Sequence, residues 1–530
     1  MLLLATLAPW LGFEWGKPGL LDPSPDAPWP IRSLLAVEAW PAGELPHDKY
    51  PEGWHLLAGG AQQVARAAWL TDAEAAQLER LRTQIGEAVA ARRGDATFDP
   101  SALLHAEGAG FEVGAWKLVV AGRLLALLMV VVLAAAAGEL AMAAAGPRFG
   151  WVGALAIALQ PAVVHYGATL NTDVPALACC ALAWALLVAG RAAPGGRRVV
   201  LAGAALGLAA AIKDQYAAMA IGVALFAWRR GVGAARGRVA RAGLLLLGGA
   251  SAYVLTSGLL FHEPGGDIGS TFRAHVAHLF GDGSQPFRIH DLSPRGVLGL
   301  LDDTFERLVA AAGVAGVAGI GLLLVQVVAR RRWRALAWLL PGLCYLALFL
   351  APAGYVYPRF TLPLGLCGAL GLVWALGHAR GVRGAQRVVI AALALVYLGA
   401  EASQVVTSKW SDPRSASVAA LAARRAPGDE VWLCSEPWLY APFPPVAPPL
   451  RVRELREMAA AVRDGEAPPR WLWFAAERRN ALLTPDAIAS IEKRLRVRLV
   501  ERFDPAPTGN LANDPDGLLL PVVLLFERVP

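Results

Sequence analysis

The fold of this chain is decided by the pattern in residues 196–241, GRRVVLAGAALGLAAAIKDQYAAMAIGVALFAWRRGVGAARGRVAR. Arginines gather at both ends of this stretch, and two apolar runs between them flank the pair Lys213–Asp214. Cytoplasmic loops of membrane proteins collect Lys and Arg, whereas loops on the opposite face do not. The two arginine-rich ends are therefore predicted to face the cytoplasm, and Lys213–Asp214 to lie at the other face.

The same alternation extends along the rest of the chain. Further arginine-rich breaks occur at Arg148, at Arg191, from Arg330 to Arg334 and from Arg380 to Arg387. The breaks between them carry Asp22 and Asp26, Asp173, the 262–305 stretch and Tyr357-Pro358-Arg359. Every second loop is thus predicted to be cytoplasmic, and the acidic set shares the extracytoplasmic face.

Composition excludes a soluble globular protein, because 56% of the 530 residues are hydrophobic and only 17% are charged. A membrane span needs about 20 apolar residues. Eleven candidate spans lie at about 1–13, 116–137, 149–168, 174–190, 199–212, 215–228, 242–261, 308–329, 335–351, 360–377 and 388–402. Residues 199–228 form two short spans or one span with a re-entrant piece. The first run is clipped or short, since it lacks the basic segment and cleavage site of a signal peptide.

The net charge of +7 is explained by this topology, because the arginines flank spans where anionic lipid headgroups supply the counter-charge. Nucleic acid is therefore not an expected partner. The cysteines indicate neither a disulfide framework nor a metal cluster, since four of the five lie inside apolar runs.

The predicted fold class is mainly α: a polytopic membrane helix bundle with a small α/β domain outside the membrane. Residues 1–13 form the first span and 14–115 a long first extracytoplasmic loop with amphipathic helices. Residues 72–92 open with a Thr N-cap and Glu74 in the first turn. The bundle covers 116–402 with an outer loop at 262–305, and 403–530 is the extracytoplasmic α/β domain.

The tail is predicted to be α/β because runs of strand character alternate in it with helical stretches. The strands are expected at 430–434, 470–474, 496–503 and 518–529, and the helices near 413–425, 451–464 and 484–495.

Two carboxylates near the outer ends of spans are candidates for chemistry. Asp26 lies between prolines that present it in a rigid turn. Its alternative role is to cap a helix that starts near Trp29, and Asp22 competes for the same position. Asp173 directly precedes the fourth span and is followed two residues later by Pro175, so it is also a good helix N-terminus. Ionisable groups at apolar helices usually face a cavity or the bundle interior.

Two cations share that face. Lys213 interrupts apolar sequence and needs an anionic partner, either its neighbour Asp214 or a bound phosphate. Arg359 has the planar fork of donors that suits phosphate oxygens. Its alternative is an interfacial arginine that snorkels beside Tyr355 and Tyr357.

The outer loop at 262–305 also carries several histidines. His275 and His278 have the i, i+3 spacing of a metal pair, but no metal signature surrounds them. A polar, solvated helix is the default interpretation.

Taken in order, these residues resemble the GT-C fold glycosyltransferases that use polyprenyl-phosphate sugars. The group is family 39, or dolichyl-phosphate-mannose protein mannosyltransferase-like, and is related to the aminoarabinose transferase of lipid A. The matching segments are Ser24-Pro25-Asp26-Ala27-Pro28, Lys49-Tyr50-Pro51, Gly122-Arg123-Leu124, Thr172-Asp173-Val174-Pro175, Pro358-Arg359-Phe360-Thr361-Leu362-Pro363 and Asp412-Pro413-Arg414. The family's Glu after the motif Asp is Ala27 here, its His is Ser24, and Glu52 replaces the second Pro of Tyr-Pro-Pro. Glu52 or Asp48 would have to replace the lost Glu.

The resemblance implies a bacterial inner-membrane enzyme that transfers a sugar from a polyprenyl-phosphate donor to an acceptor hydroxyl, with inversion, at the extracytoplasmic face. Asp26 would be the general base, and Asp173 would orient the acceptor or Asp26, or bind sugar hydroxyls. Arg359, Lys213 and Arg123 would bind the donor phosphate. Acceptor or sugar contacts would fall to Asp22, Tyr50, Glu52 and Tyr357. The acceptor would be a lipid, glycan or protein; no cofactor is implied, and a divalent metal is optional.

Two other classes of function compete with this one. A solute or lipid transporter would also bury charge, but it predicts paired halves with broken helices at matching positions, which the sequence lacks. A catalytically degenerate scaffold of the same fold is favoured by Ala27.

Overall fold

The computed structural model describes residues 53–91, 115–188, 194–230, 235–262, 267–270, 272–273, 276–277, 288–328, 331–379, 382–410, 412–426, 429–434, 450–452, 455–476, 481–504 and 522–529. The chain divides into two compact units. Of the described residues, those within 53–60 and 124–406 belong to the first unit, and those within 61–123 and 407–530 belong to the second.

The described residues are mainly helical. The helices are α1 Gly53–Trp69, α2 Asp72–Ala91, α3 Ala115–Ala145, α4 Gly150–Ala158, α5 Pro161–Tyr166, α6 Asp173–Val188, α7 Gly196–Ile212, α8 Tyr216–Arg230, α9 Ala235–Thr256, α10 Pro294–Val328, α11 Ala335–Ala353, α12 Leu362–His378, α13 Gly384–Trp410, α14 Pro413–Arg424, α15 Leu455–Arg463 and α16 Pro485–Leu495. Helix α11 begins inside a 3-10 segment, Trp333–Leu339, and contains a π-helical turn, Leu346–Leu350. A 3-10 turn, Pro358–Thr361, leads into α12.

Among the described residues, six helices are long and apolar enough to cross a membrane by length and composition. These segments are Lys117–Ala145, Gly237–Thr256, Pro294–Val328, Ala335–Ala353, Pro358–His378 and Gly384–Thr407. Asp173–Val188 and Tyr216–Arg229 are apolar but shorter. The predicted fold class, a polytopic helix bundle with a small α/β unit, is thereby confirmed. The predicted first span, 1–13, lies outside the described residues.

Several predicted boundaries differ from the structure. The predicted span 149–168 is divided into α4 and α5, because Gln160 is extended (ψ 133°) and Pro161 offers no amide hydrogen. The outer loop predicted for 262–305 ends sooner, since α10 already begins at Pro294. The charged residues at 302–307 are typical of a loop in sequence, but they lie on this helix. Helix α13 continues to Trp410, beyond the predicted limit of 402.

Close helix crossings in the first unit depend on glycine. A Cβ on Gly207 of α7 would overlap the carbonyl oxygen of Gly249 of α9. A Cβ on Gly319 of α10 would likewise overlap the carbonyl oxygen of Gly368 of α12. Small residues let helix backbones approach in this way, which increases van der Waals contact where the hydrophobic effect is weak. These crossings bring α7 and α12, the helices next to the site described below, against their neighbours.

The second unit contains a five-stranded mixed sheet in the order β2-β1-β3-β5-β4. The strands are β1 Val431–Cys434, β2 Leu450–Val452, β3 Trp471–Ala476, β4 Val497–Phe503 and β5 Val522–Arg528. Strand β1 pairs in parallel with β2 and β3, and β5 pairs antiparallel with β3 and β4. All six residues of β3 are buried. One cluster around β3 includes α14, and the other includes α15 and α16, so both faces of the sheet are covered.

The tail sequence predicts this unit well. Each of the four predicted strand runs contains a strand, and each of the three predicted helices is present. Strand β2 was missed, because it has only three residues and the prediction assigned them to the start of a helix. That helix, α15, begins at Leu455.

The predicted start of the 72–92 helix is also confirmed. The Glu74 amide donates to Thr71 Oγ1 at 3.3 Å, and the Thr71 amide donates to Glu74 Oε2 at 2.8 Å, which is a reciprocal capping box.

Candidate functional site

Three breaks in the helices of the first unit bring charged side chains together. Asp173 is the first residue of α6, Lys213 directly follows α7, and Arg359 lies in the 3-10 turn before α12. Helix termini and non-helical turns carry backbone groups that lack intrahelical partners, so they are the polar parts of a bundle. Sequence alone singled out all three residues as candidate site residues.

The three side chains meet at one carboxylate oxygen. Lys213 Nζ lies 2.7 Å from Asp173 Oδ2, and Arg359 Nε lies 3.7 Å from the same atom. The side chains of Asp173 and Lys213 are 0% exposed and that of Arg359 is 6% exposed. Charged groups are rarely buried without an opposite charge, because desolvation costs several kcal/mol per ion. We call Asp173, Lys213 and Arg359 the charged trio.

Local backbone structure holds each member in place. The Asp173 amide donates to Asn171 Oδ1 at 2.8 Å, which fixes the turn that leads into α6. Lys213 has an extended backbone (φ −154°, ψ 111°), and its carbonyl accepts from the Tyr216 amide at 3.0 Å. The 213–215 break is therefore a tight turn between α7 and α8, and it presents the lysine from the point where α7 stops.

Aromatic rings surround the two cations. The Arg359 guanidinium lies 4.6 Å from the ring centroid of Tyr357 and 5.1 Å from that of Phe360. Lys213 Nζ lies 5.4 Å from the Phe360 ring. Cations are attracted to the faces of aromatic rings, and this attraction is larger when water is excluded. Tyr357, an expected acceptor or sugar contact, thus lies against the arginine.

Helix α1 reaches the same region. Trp54 is fully buried, and its Nε1 donates to the carbonyl oxygen of Leu170 at 3.0 Å. Leu170 lies three residues before Asp173. A Cβ on Gly53 would lie 2.6 Å from the carbonyl oxygen of Ala211, so only glycine permits this approach to the end of α7. The start of α1 therefore packs beside the two chain segments that carry Asp173 and Lys213.

A further contact fixes the chain that leads to Arg359. Gly354 has a left-handed conformation (φ 72°), and its carbonyl oxygen accepts from the amides of Ile289 at 3.0 Å and His290 at 2.8 Å. His290 Nε2 lies 2.8 Å from Asp303 Oδ2 on α10. Residues 288–290 are thus attached to both α10 and the segment five residues before Arg359.

The other predicted site residues fall into two groups. Asp22, Asp26, Tyr50 and Glu52 lie outside the described residues, as do His275 and His278, and their assignments stay predictions. Arg123 is 1% exposed on α3, in the part of that helix that belongs to the second unit. Its assignment to the donor phosphate also stays a prediction.

The structure decides between several of the alternatives for the trio. Asp173 Oδ2 faces the cations, and Asp173 Oδ1 has no hydrogen-bond partner within the described part of the chain, so this carboxylate does not cap α6. Lys213 pairs with Asp173, a partner that neither sequence alternative included. The snorkelling interpretation of Arg359 is wrong, because a snorkelling side chain would reach the surface and Arg359 is buried within the protein.

The trio brings two positive charges against one negative charge in a region without solvent exposure. Electrostatic interactions there are stronger than in water. Such a site suits an anion, and Arg359 can offer several donors to phosphate oxygens. Among the described residues, no three His, Cys, Asp or Glu side chains are grouped as metal ligands would be.

Sequence reasoning missed the residues that support the trio and one of their neighbours. Trp54, Asn171, Phe360 and Tyr216, and Tyr345 beside Tyr216, were not singled out as site residues. The signals for Asn171 and Tyr216 were their positions, two residues before Asp173 and three residues after Lys213. Tyr345 lies in an apolar run and gave no signal.

Comparison with known proteins places the chain among membrane proteins. Residues 108–269 match the model of a family described as "Predicted membrane protein (DUF2142)". This range includes Asp173 and Lys213. No curated protein matches the chain in sequence.

Among solved structures, the chain is similar to one titled "Crystal Structure of ArnT from Cupriavidus metallidurans bound to Undecaprenyl phosphate". The match covers 99% of this chain and 97% of that chain, with 12% sequence identity and a TM-score of 0.48. The description of the charged trio therefore uses only the contacts within this chain.

Proposed function

We propose that this protein is an integral membrane glycosyltransferase of the GT-C type. It moves a sugar from a polyprenyl-phosphate donor to an acceptor hydroxyl at the extracytoplasmic face, with inversion at the anomeric carbon. The observation that carries the proposal is the buried charged trio, in which two cations from separate helix breaks share Asp173 Oδ2.

The trio supports a phosphate-binding role. When the bond between the anomeric carbon and the phosphate oxygen breaks, the leaving polyprenyl phosphate keeps the electron pair and gains negative charge. Fixed cations in a region of low dielectric stabilise that developing charge, and such preorganised groups are a large source of rate enhancement. Lys213 and Arg359 are the groups that we assign to this task.

Asp173 has a positioning role in this proposal. Its Oδ2 is 2.7 Å from Lys213 Nζ and 3.7 Å from Arg359 Nε, so both cations already lie against this carboxylate. It is therefore better suited to hold the two cations than to act as a base. Asp26, which the family resemblance identifies, takes the acceptor proton as the acceptor oxygen bonds to the anomeric carbon.

A lipid-binding experiment tests the phosphate role. The purified protein in detergent is titrated with undecaprenyl phosphate, and its unfolding midpoint is measured. Wild type should be stabilised, because a ligand that binds only the folded state raises its stability. Lys213→Met should weaken this response at least about tenfold in affinity, since charge-assisted hydrogen bonds contribute about 1.5–3 kcal/mol. Arg498→Met, at a side chain 73% exposed on β4, is the matched control and should respond as wild type does.

A further variant, at Asp26, distinguishes catalysis from other uses of the fold. Asp26→Asn should keep the response to the lipid but lower sugar transfer in isolated membranes by about 10²–10⁴-fold, the range of general base catalysis. Unchanged transfer would remove Asp26 from its role. A wild-type protein that binds the lipid but transfers no sugar would be a scaffold, and no response to the lipid would contradict the proposal.

A further inference from the structure

Two buried tyrosines lie beside the charged trio with their hydroxyls unused. Tyr216 at the start of α8 and Tyr345 in α11 are each 0% exposed, and their ring centroids are 5.7 Å apart. Among the described residues, neither hydroxyl has a hydrogen-bond partner, and the same holds for Asp173 Oδ1. Burying a polar atom without a partner lowers stability, so three such atoms in one region indicate a place that is built for a ligand.

A chain of contacts connects the tyrosines to the trio. The Tyr216 amide donates to the carbonyl oxygen of Lys213 at 3.0 Å. The Tyr345 ring lies 5.1 Å from Phe349, which lies 5.4 Å from Phe360, whose ring in turn is 5.4 Å from Lys213 Nζ. Lys213 Nζ in turn lies 2.7 Å from Asp173 Oδ2. The three unpartnered atoms therefore belong to the same part of the first unit.

Neighbouring groups add to the polar character of this part. Asn171 Nδ2 and Thr172 Oγ1, immediately before Asp173, are also buried without a hydrogen-bond partner among the described residues. Both residues are at most 2% exposed. The segment 171–173 thus carries two further polar atoms with hydrogen-bonding capacity in the same turn.

The chemistry of these atoms selects the kind of ligand. An ionised carboxylate only accepts hydrogen bonds, whereas a phenol can donate one. A ligand group that serves both must itself accept and donate. A hydroxyl does this, but a phosphate oxygen offers no hydrogen to Asp173 Oδ1 and would be repelled by its charge. The match is therefore to a hydroxyl group, the group that a sugar carries.

We propose that Tyr216, Tyr345 and Asp173 Oδ1 form a subsite for a hydroxyl group of the donor sugar. This inference rests on the proposed function, in which Lys213 and Arg359 bind the phosphate to which that sugar is attached. Asp173 then has two tasks: one oxygen holds the cations, and the other accepts a hydrogen bond from the sugar.

Isosteric removal of the phenol hydroxyls tests the subsite. Wild type, Tyr216→Phe, Tyr345→Phe and the control Tyr397→Phe on α13 are titrated with two kinds of probe. One is undecaprenyl phosphate, and the other is its sugar ester, with mannose, glucose and arabinose tested in turn. The unfolding midpoint is measured without lipid and with each probe. Wild type should prefer at least one sugar ester over the plain phosphate. In the two site variants this preference should fall about 3- to 10-fold, the effect of losing one hydrogen bond, while the affinity for the plain phosphate stays unchanged.

The midpoint without lipid separates a ligand role from a structural role. If the hydroxyls serve a ligand, their removal should leave the lipid-free midpoint unchanged or raised, because an unpartnered buried group has been deleted. The subsite would be overturned if the two variants had lowered lipid-free midpoints and still preferred the sugar ester as strongly as wild type does. If wild type binds the plain phosphate but prefers no sugar ester, the subsite also fails while the phosphate role stands. No response to any lipid would remove the proposed function and the subsite together.

Discussion

The two units of this protein each bury an aspartate in an ion pair, but they do so in opposite ways. In the second unit, Asp412 and Arg414 are two residues apart, and the arginine contacts both carboxylate oxygens, with Nε at 3.0 Å from each and Nη2 at 2.6 Å from Oδ2. In the first unit, Asp173 meets Lys213 across 40 residues of chain, both cations use Oδ2, and none of the residues that the structure describes forms a hydrogen bond with Oδ1.

The difference indicates what each pair is for. Asp412 caps α14 by accepting from the Arg414 amide at 2.9 Å, and its arginine satisfies the rest of the carboxylate, so this pair completes a local structure. Asp173 joins helix breaks that are far apart in sequence and keeps one oxygen available. A pair with all acceptor positions used stabilises a fold, whereas a pair with an unused oxygen is suited to meet a ligand.

The largest expected effect is from breaking the pair in the first unit. Asp173→Ala leaves Lys213 and Arg359 buried without their shared carboxylate, and removal of one partner of a buried pair typically costs about 3–5 kcal/mol. The unfolding midpoint should fall strongly, and the response to undecaprenyl phosphate should be lost. In Asp173→Leu/Lys213→Met, part of the stability should return, while the response to lipid should not. Wild-type stability of Asp173→Ala would contradict the importance of this pair.

A smaller and more reversible effect is expected in the second unit. Asp412→Ala leaves Arg414 buried without its carboxylate and should also destabilise the protein, but Asp412→Ala/Arg414→Met should recover most of the loss, because apolar replacement of a buried pair is often neutral. The double variant should bind undecaprenyl phosphate as wild type does. A lost lipid response in this double variant would show that the two pairs do not have separate roles.

The smallest expected effect depends on pH. Burial raises the pKa of Asp429, but hydrogen bonds from the Ala426 amide and Trp471 Nε1, together with Arg470, outweigh it and hold this pKa below its usual value. The folded pKa is thus lower than the unfolded value of about 3.9. The stability from Asp429 should be present above that value and be lost as the pH falls through the folded pKa.

The measurement compares unfolding midpoints of wild type and Asp429→Asn at pH 7 and below pH 4. At pH 7, wild type should be more stable by about 1 kcal/mol, the usual net contribution of a hydrogen bond. Below pH 4 the difference in stability between wild type and Asp429→Asn should be smaller. A stability difference that does not change with pH would contradict the role of the ionised carboxylate.

Much of the fold could be predicted from sequence, because apolar runs with charged breaks determine where helices begin and end. The residues of the charged trio were also predictable, since each is a charged side chain at the edge of an apolar run. Their pairing was not. Nothing local shows that Lys213 turns to Asp173, because the contact depends on how α6, α7 and α12 pack.

The missed features have a common physical reason. Tyr345 has the same apolar neighbours in sequence as any core residue. Its place in the proposed subsite depends on a hydroxyl for which the described residues provide no hydrogen-bond partner, and only the three-dimensional structure reveals this. Likewise β2, with three residues, is too short for a periodic pattern and forms because β1 pairs beside it.

The attachment at Gly354 has a mechanical consequence. Its carbonyl oxygen binds the two amides of residues 289 and 290, and the chain then continues through Tyr355 and Tyr357 to Arg359. Residues 288–290 are therefore attached to the chain that leads into the arginine turn, at a residue whose left-handed backbone favours glycine. The segment that ends in the guanidinium next to Asp173 is thus anchored at both of its ends, at Gly354 and at the start of α12.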